Sequence, residues 1–300
     1  MVEVAGLTKR FGDQVAVDGL SFTAAAGQVT AILGPNGAGK TTTFRMLLGL
    51  ARPSAGQALI DGRAYAEFEH PRQTVGALLE LSGFHPARTG RDHLRVVATA
   101  AGIPLGRVDE QLAFVGLSRA ADRRVGGYSA GMRQRLAVAG ALLGDPRVLV
   151  LDEPTSGLDP EGVAWMRRLQ REFAAAGRCV LVASHLLAEV GQAADRVVII
   201  ARGRALREAD VTSLGGATEL AVRVNDPEPL ARALTAQHGA EVSATGDGRL
   251  VVRGATAEEV GRTAARVGAT VFELTSRSAG ESLEQLYLSL TGRGEEREVG

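Results

Sequence analysis

The stretch Gly34-Pro35-Asn36-Gly37-Ala38-Gly39-Lys40-Thr41 follows the apolar run Val29 to Leu33 and precedes a helix-forming segment over 42–50. Its spacing, G-x-x-x-x-G-K-[ST], constrains the fold more than any other feature, because such a loop works only between a strand and a helix. The glycines let backbone N–H groups turn inward around a phosphate, and the N-terminus of the next helix adds its positive end. Lys40 is then placed to bridge the β- and γ-phosphates and Thr41 to hold Mg²⁺, while Thr42 opens the helical segment and counts with the nucleotide-binding residues. A glycine-rich turn without a ligand needs neither the lysine nor the threonine. The chain is expected to bind a nucleoside triphosphate.

With 34 basic and 34 acidic residues, the chain has no global field to draw it to nucleic acid or to an anionic membrane, and nucleic acid is not expected as a partner. Its 300 residues suit about two domains. Lys9 and Lys40 are the only lysines in an arginine-rich chain, which makes Lys40 stand out. The single cysteine, Cys179, lies in an apolar run and cannot form an internal disulfide, so it is expected to be buried filler in a reducing compartment. No stretch near the N-terminus has the order of a signal peptide, and no apolar run approaches the roughly 18 residues of a membrane span. Any span is expected from another chain.

Short strands are expected at Val2 to Leu7 and Leu20 to Ala24, around a turn at Phe11-Gly12-Asp13, with Phe11 placed to pack over a nucleotide or simply against its neighbours. Gln57 to Ile60 reads as a further strand of an antiparallel side sheet, and Val75 to Leu79 as a strand that ends at Glu80 in a loop. The pattern over 89–121 is helical, an insert between two halves of an α/β core. Tyr128-Ser129-Ala130-Gly131-Met132 leads into another helix, where Ser129 suits an N-cap or an anion site. Arg147-Val148-Leu149-Val150-Leu151-Asp152-Glu153 is the pattern of a buried parallel strand delivering two carboxylates at its C-terminal end. Burying two adjacent acids is costly without a cation, which assigns Asp152 to the Mg²⁺ shell and Glu153 to the attacking water. Cys179 to Ala183 is a further buried strand ending at Ser184-His185, on the same sheet edge, and 202–210 reads as a solvated, mixed-charge connection.

In this order and at these separations, the motifs resemble those of the ATP-binding subunit of ABC transporters over about Val2 to Asp210. GPNGAGKT matches the family's Walker A, VLVLDE its Walker B, YSAGMRQR its signature, SGLD its D-loop and Ser184-His185 its H-loop. The resemblance implies a P-loop NTPase cassette with a RecA-like parallel sheet core, an antiparallel β side sheet and a helical insert over about 84–143. It also implies ATP and Mg²⁺ as ligands, Phe11 as the adenine-stacking aromatic, Glu153 and His185 as catalytic residues, and Thr41, Asp152 and Glu80 around the metal. Two copies, identical or paralogous, would close head to tail, so that Ser129, Gly131, Met132 and Asp159 of one copy reach the nucleotide held by Lys40 of the other. A separate membrane permease would place the chain peripherally on the cytoplasmic face of the membrane. The signature departs from the family's usual S-G-G-Q, and Glu80 stands where most members have glutamine. The strings Leu79-Glu80-Leu81-Ser82-Gly83-Phe84 and Arg91-Asp92-His93-Leu94 are similar to ATPases of antibiotic and multidrug exporters, which implies export as the direction.

The cassette is expected over 1–215, a small C-terminal α+β domain over 216–290 and a flexible tail over 291–300. The order β-α-β-β-α-β in the second domain is that of a ferredoxin-like unit, with Gly246-Asp247-Gly248 as a hairpin turn. No acid, histidine or cysteine cluster there suggests a second active site, so a dimerisation or regulatory role stands beside that of a passive appendage. Two other functions remain open at this level: a soluble ABC ATPase acting on ribosomes or DNA, and an ATP-binding regulatory switch. One cassette without sustained heptads between Lys40 and Asp152 disfavours the first, and Glu153 with His185 disfavours the second.

Overall fold

The computed structural model describes residues 1–79, 83–211, 218–246, 248–278 and 283–292. Chain contacts divide it into two compact units, Met1–Asp210 and Val211–Gly300.

In the first unit, β1 (Val2–Phe11) and β2 (Gln14–Ala24) form an antiparallel hairpin across Gly12-Asp13. Alternating Val2, Val4, Leu7, Leu20, Phe22 and Ala24 are buried, the period-two pattern of a sheet with one covered face. Both strands run on to the turn, beyond the short segments expected, because the pairing continues through Lys9↔Val17, Arg10↔Val15 and Phe11↔Gln14 with register shifts. β3 (Val29–Leu33) is buried at every residue and leads through the glycine-rich loop into α1 (Lys40–Leu47). β4 (Ala55–Ile60) completes the side sheet β2-β1-β4.

The chain continues through α2 (Pro71–Thr74), β5 (Val75–Leu78), α3 (Gly90–Ala100), α4 (Gly106–Phe114), α5 (Ala130–Leu142) and β6 (Val148–Asp152). It then forms α6 (Pro160–Ala175), β7 (Cys179–Ser184), α7 (Leu187–Ala193), β8 (Arg196–Ala201) and β9 (Arg204–Asp210). The main sheet has the order β5-β6-β7-β3-β8-β9, parallel except for β9. Its register pairs Leu33 with Ser184 and Asp152 with Ala183, so the C-terminal ends of β3, β6 and β7 lie level. Ligands of open α/β sheets bind outside such ends. Phe44, Met46 and Leu47 of α1 join Leu7, Leu20 and Phe22 of the side sheet and Ile32, Val150, Leu181 and Val198 of the main sheet in one apolar cluster. The helix that carries the loop is thereby clamped between two sheets.

The structure corrects one expectation here: 204–210 is a strand, not a solvated connection. β9 is an edge strand held by main-chain pairing to β8 and by Arg196 facing Glu208 and Asp210, so it needs no apolar alternation. Glu80, together with Leu81 and Ser82, lies outside the described residues.

The second unit contains β10 (Thr218–Val224), α8 (Pro227–His238), β11 (Glu241–Gly246), β12 (Arg249–Arg253), α9 (Ala257–Val267), β13 (Val271–Ser278) and α10 (Leu283–Gly292). Its antiparallel sheet has the order β11-β12-β10-β13, the arrangement of a ferredoxin-like unit. Leu230 and Leu234 of α8 and Val260 and Ala264 of α9 cover Leu220, Val222, Leu250 and Val252. Asp247 of the expected hairpin turn and 293–300 of the expected tail lie outside the described residues, whereas Thr291 and Gly292 belong to α10.

Two outcomes follow from the packing. A Cβ on Gly76 of β5 would stand 2.3 Å from the Ala141 carbonyl oxygen and 2.9 Å from Pro146 Cγ, so Gly76→Ala is expected to destabilise the first unit by about 2 kcal/mol. A lowered denaturant midpoint checks this, and an unchanged one refutes it. Cys179 is 1% exposed, and burial pushes its thiol up to about 11. Because the folded value exceeds the ordinary 9.0, the associated stability is complete below about pH 9 and lost as the pH rises toward 11. Alkylation of Cys179 at pH 8 should be slow in the native chain and fast in denaturant.

Candidate functional site

The loop after β3 is shaped by close backbone approaches. Gly39, at φ +102°, precedes α1, and a Cβ there would stand 2.6 Å from the Ala16 carbonyl oxygen. A Cβ on Gly34 would stand 2.4 Å from the Ile200 carbonyl oxygen. β2 and β8 therefore press on the loop from outside, and glycine is required at both contacts. Thr43 Oγ1 donates to the Gly39 carbonyl at 2.8 Å and closes the first turn of α1.

Lys40 is only 6% exposed. Its Nζ donates to the Gly34 carbonyl at 2.7 Å and the Pro35 carbonyl at 3.1 Å, and lies 3.5 Å from Glu153 Oε1. A buried ammonium needs such partners. The cation is stored inside the loop, with main-chain oxygens standing in the positions that phosphate oxygens would compete for.

Glu153 leaves β6 with φ +47°, a left-handed conformation rare for a non-glycine residue. Its N–H still donates to the Ala183 carbonyl at 3.0 Å, so the strand pairing holds while the side chain turns toward the loop. Glu153 Oε2 lies 2.9 Å from His185 Nδ1. An ionised carboxylate only accepts, so Nδ1 carries a proton and donates to it. Glu153 is thus held between Lys40 and His185.

Asp152, 7% exposed, accepts a hydrogen bond at Oδ2 from Thr41 Oγ1 at 2.6 Å. The hydroxyl and carboxylate are hard oxygen donors side by side. Among the described residues there is no group of three or more histidines, cysteines and acids able to hold a metal. This donor set fits Mg²⁺, which keeps several waters and takes one or two protein oxygens beside substrate phosphates.

A cleft of about 440 Å³ opens beside the loop. Its lining includes Asn36, Gly37, Ala38, Gly39, Lys40, Thr41, Thr42 and Glu153. Phe11, 55% exposed with Lys9 Nζ 4.9 Å from its ring centroid, forms part of the wall. Gln14, Val15, Ala16 and Arg202 also line the cleft and carry no motif in the sequence. The one signal for Arg202 was its place after β8, a strand parallel to β3 and ending at the same edge.

The signature residues are placed elsewhere. Ser129 caps α5, its Oγ accepting from the Met132 N–H at 3.2 Å, and Asp159 caps α6 by accepting from the Gly162 N–H at 2.8 Å. The two caps are neighbours: a Cβ on Gly131 would stand 3.7 Å from Leu158 Cδ2, and one on Gly157 3.8 Å from Ala130 Cβ. Tyr128 anchors the segment through its hydroxyl, which donates to the Ala120 carbonyl at 2.6 Å, and burial pushes its phenol up. Gln134, buried one turn further along α5, donates to the carbonyl of Pro154, just after the acid pair. None of Ser129, Gly131, Met132 or Asp159 is among the described residues lining the cleft. The fold brings Lys40, Thr41, Asp152, Glu153 and His185 together and leaves the signature residues apart from them.

A glycine-rich loop between a buried parallel strand and a helix, with two acids from a second buried strand beside it, defines a P-loop nucleoside triphosphatase. The family model described as "ABC transporter" matches residues 17–156, and a domain of unknown function matches 218–284. The chain is 41% identical over 213 residues to the bacitracin transport ATP-binding protein BcrA of Bacillus licheniformis, covering 69% of each. It is 34% identical over 305 residues to the Nod factor export ATP-binding protein I of Rhizobium sp., covering 99% of this chain and 98% of the other. A solved ATP-binding subunit of an ABC transporter superposes with TM-score 0.65 at 28% identity, covering 71% of this chain and 91% of that one. The chain belongs to the ATP-binding subunits of ABC transporters, a family of ATPases that couple hydrolysis to transport.

Lys40→Ala is expected to weaken ATP binding at least tenfold, since it removes a charge-assisted contact worth roughly 1.5–3 kcal/mol. Titration with a fluorescent ATP analogue reads this, and a retained thermal midpoint separates lost binding from lost fold.

Proposed function

We propose that this chain is the ATP-hydrolysing subunit of an exporter and works with a separate membrane permease that carries the substrate. The observation that supports the catalytic reading best is Glu153, held between Lys40 and His185 at the mouth of the cleft. An incoming triphosphate takes Lys40 from the Gly34 and Pro35 carbonyls, and the loop N–H groups cradle its phosphates. Glu153 then orients and deprotonates the attacking water, and His185 steadies the γ-phosphate. Thr41 and Asp152 hold Mg²⁺, which supplies charge neutralisation at the phosphate oxygens when bound. Phe11 stacks on the base.

The site is completed by a second copy or a paralogue. The absence of Ser129, Gly131, Met132 and Asp159 from the described cleft lining supports this, because the helix N-terminus capped by Ser129 carries a positive end suited to an anion. Closure of two copies head to tail excludes water and strengthens each contact. The permease would hold the chain at the cytoplasmic face of the membrane; no helix among the described residues is long and apolar enough to cross one. Relatives named for bacitracin transport and for Nod factor export support the outward direction and a drug- or antibiotic-like cargo. We infer a cassette over 1–215 and an accessory α+β domain, with a role in dimerisation or regulation, over 216–290, close to the division between Asp210 and Val211.

Turnover of ATP with Mg²⁺ should fall at least a hundredfold in Glu153→Gln, a loss of about 3 kcal/mol in transition-state stabilisation, while ATP binding persists. The same variant should accumulate as an ATP-bound dimer in light scattering. Equal turnover in both proteins would overturn the catalytic assignment, and a monomer at saturating ATP would overturn the head-to-tail one. Deletion of 217–300 with self-association and turnover unchanged would remove the dimerisation or regulatory role.

A further inference from the structure

Lys40 and Arg202 are the two cations among the described residues lining the cleft, and they sit on different parts of its wall. Lys40 belongs to the phosphate loop. Arg202 belongs to the turn between β8 and β9, and that turn is wedged against two other parts of the site. The Gly203 N–H donates to the Ala38 carbonyl in the phosphate loop at 3.1 Å, and the Gly203 carbonyl accepts from the Asp18 N–H in β2 at 2.9 Å. Arg204 Nε donates to Asp18 Oδ2 at 2.8 Å. A Cβ on Gly203 would stand 2.9 Å from the Ala16 carbonyl oxygen, so backbone meets backbone there.

Arg202 itself has φ +50°, where glycine would be more stable. An exposed arginine in a left-handed turn on the wall of a binding cleft carries a backbone cost that glycine would not. The turn touches Ala38 on one side and Ala16 on the other, between the phosphate cradle and the wall that includes Phe11 and Val15. The γ-phosphate end is already served by Lys40, Glu153 and His185. A guanidinium is a planar fork of donors that pairs well with phosphate oxygens.

We propose that Arg202 is a nucleotide-binding residue that contacts the part of the nucleoside triphosphate not transferred in the reaction, at its α-phosphate and ribose. The proposal rests on the reading of the cleft as the ATP site. ATP and ADP share that part, so Arg202 tightens both, and its effect differs from that of groups that sense the γ-phosphate.

Titration calorimetry of the full chain with ATP and with ADP tests it, using wild type, Arg202→Gly, Arg202→Lys and Lys40→Ala. Arg202→Gly is expected to weaken both nucleotides about five- to twentyfold. The nucleotide-free variant should still unfold in one cooperative thermal transition, which separates lost binding from lost fold. Arg202→Lys should recover part of the affinity. Binding of both nucleotides within twofold of wild type, while Lys40→Ala abolishes it, would overturn the role of Arg202 and leave the ATP site standing. A loss confined to ATP would also overturn it, by placing the contact on the γ-phosphate. A wild type that binds neither nucleotide would bring down the reading of the cleft itself.

Discussion

Two main-chain hydrogen bonds at strand ends set the geometry on which the site depends. The Gly34 N–H donates to the Ser184 carbonyl at 3.3 Å, and the Glu153 N–H donates to the Ala183 carbonyl at 3.0 Å. Both reach β7, so the phosphate loop, the acid pair and His185 are referenced to one strand. A parallel sheet with buried ends makes this possible, because its ladder fixes strand heights and no side chain has to do so. The side chains can then be chosen for chemistry. That leaves Glu153 free to turn through a left-handed backbone conformation and meet Lys40 and His185 without losing the strand pairing.

The same arrangement explains how a lysine side chain is accommodated in a nearly closed loop. Taking an ammonium out of water is costly unless oxygens replace its hydration, and here two loop carbonyls and a carboxylate do so. A triphosphate offers more negative charge at a similar distance, so the exchange of partners is favourable and local. Its second consequence falls on Glu153. In the proposed mechanism, Lys40 turning to phosphate leaves the carboxylate with His185 and free to accept from water, so that binding and activation would be linked through one ion pair.

Much of this was legible in the chain because each signal had a single physical meaning. The short, largely apolar and β-branched runs at 29–33, 148–151 and 179–183, each followed by turn-forming or polar residues, read as strands buried on both faces, and the residues after them mark the sheet edge. In the second unit, Thr256 with Glu259 forms a capping box, and Gly239 and Gly268 end their helices in the left-handed conformation, so local chemistry marked the boundaries. β9 was not legible. Six of its seven residues are exposed and four are charged, and only pairing to β8 makes them a strand. Arg202 was hidden for a related reason: its position depends on a turn that packs against Ala16 and Ala38, distant in sequence. Periodicity reports burial, and neither case has any to report.

Ser129 and Asp159 show how far capping geometry constrains chemistry. Both side chains accept a hydrogen bond from a helix N-terminus, so in one chain they look alike. A serine hydroxyl that accepts still has its proton to donate, and it sits where the N–H groups of α5 also point outward. It can therefore offer a donor to a phosphate oxygen without giving up the cap. A carboxylate has no proton to offer, and its charge repels phosphate. Asp159 in a closed dimer must instead face a donor, such as a main-chain N–H or a hydroxyl of the opposing loop. In the proposed head-to-tail pair, the two caps, packed against each other through Ala130, Gly131, Gly157 and Leu158, would divide the work, with Ser129 toward the nucleotide and Asp159 toward the copy that holds it.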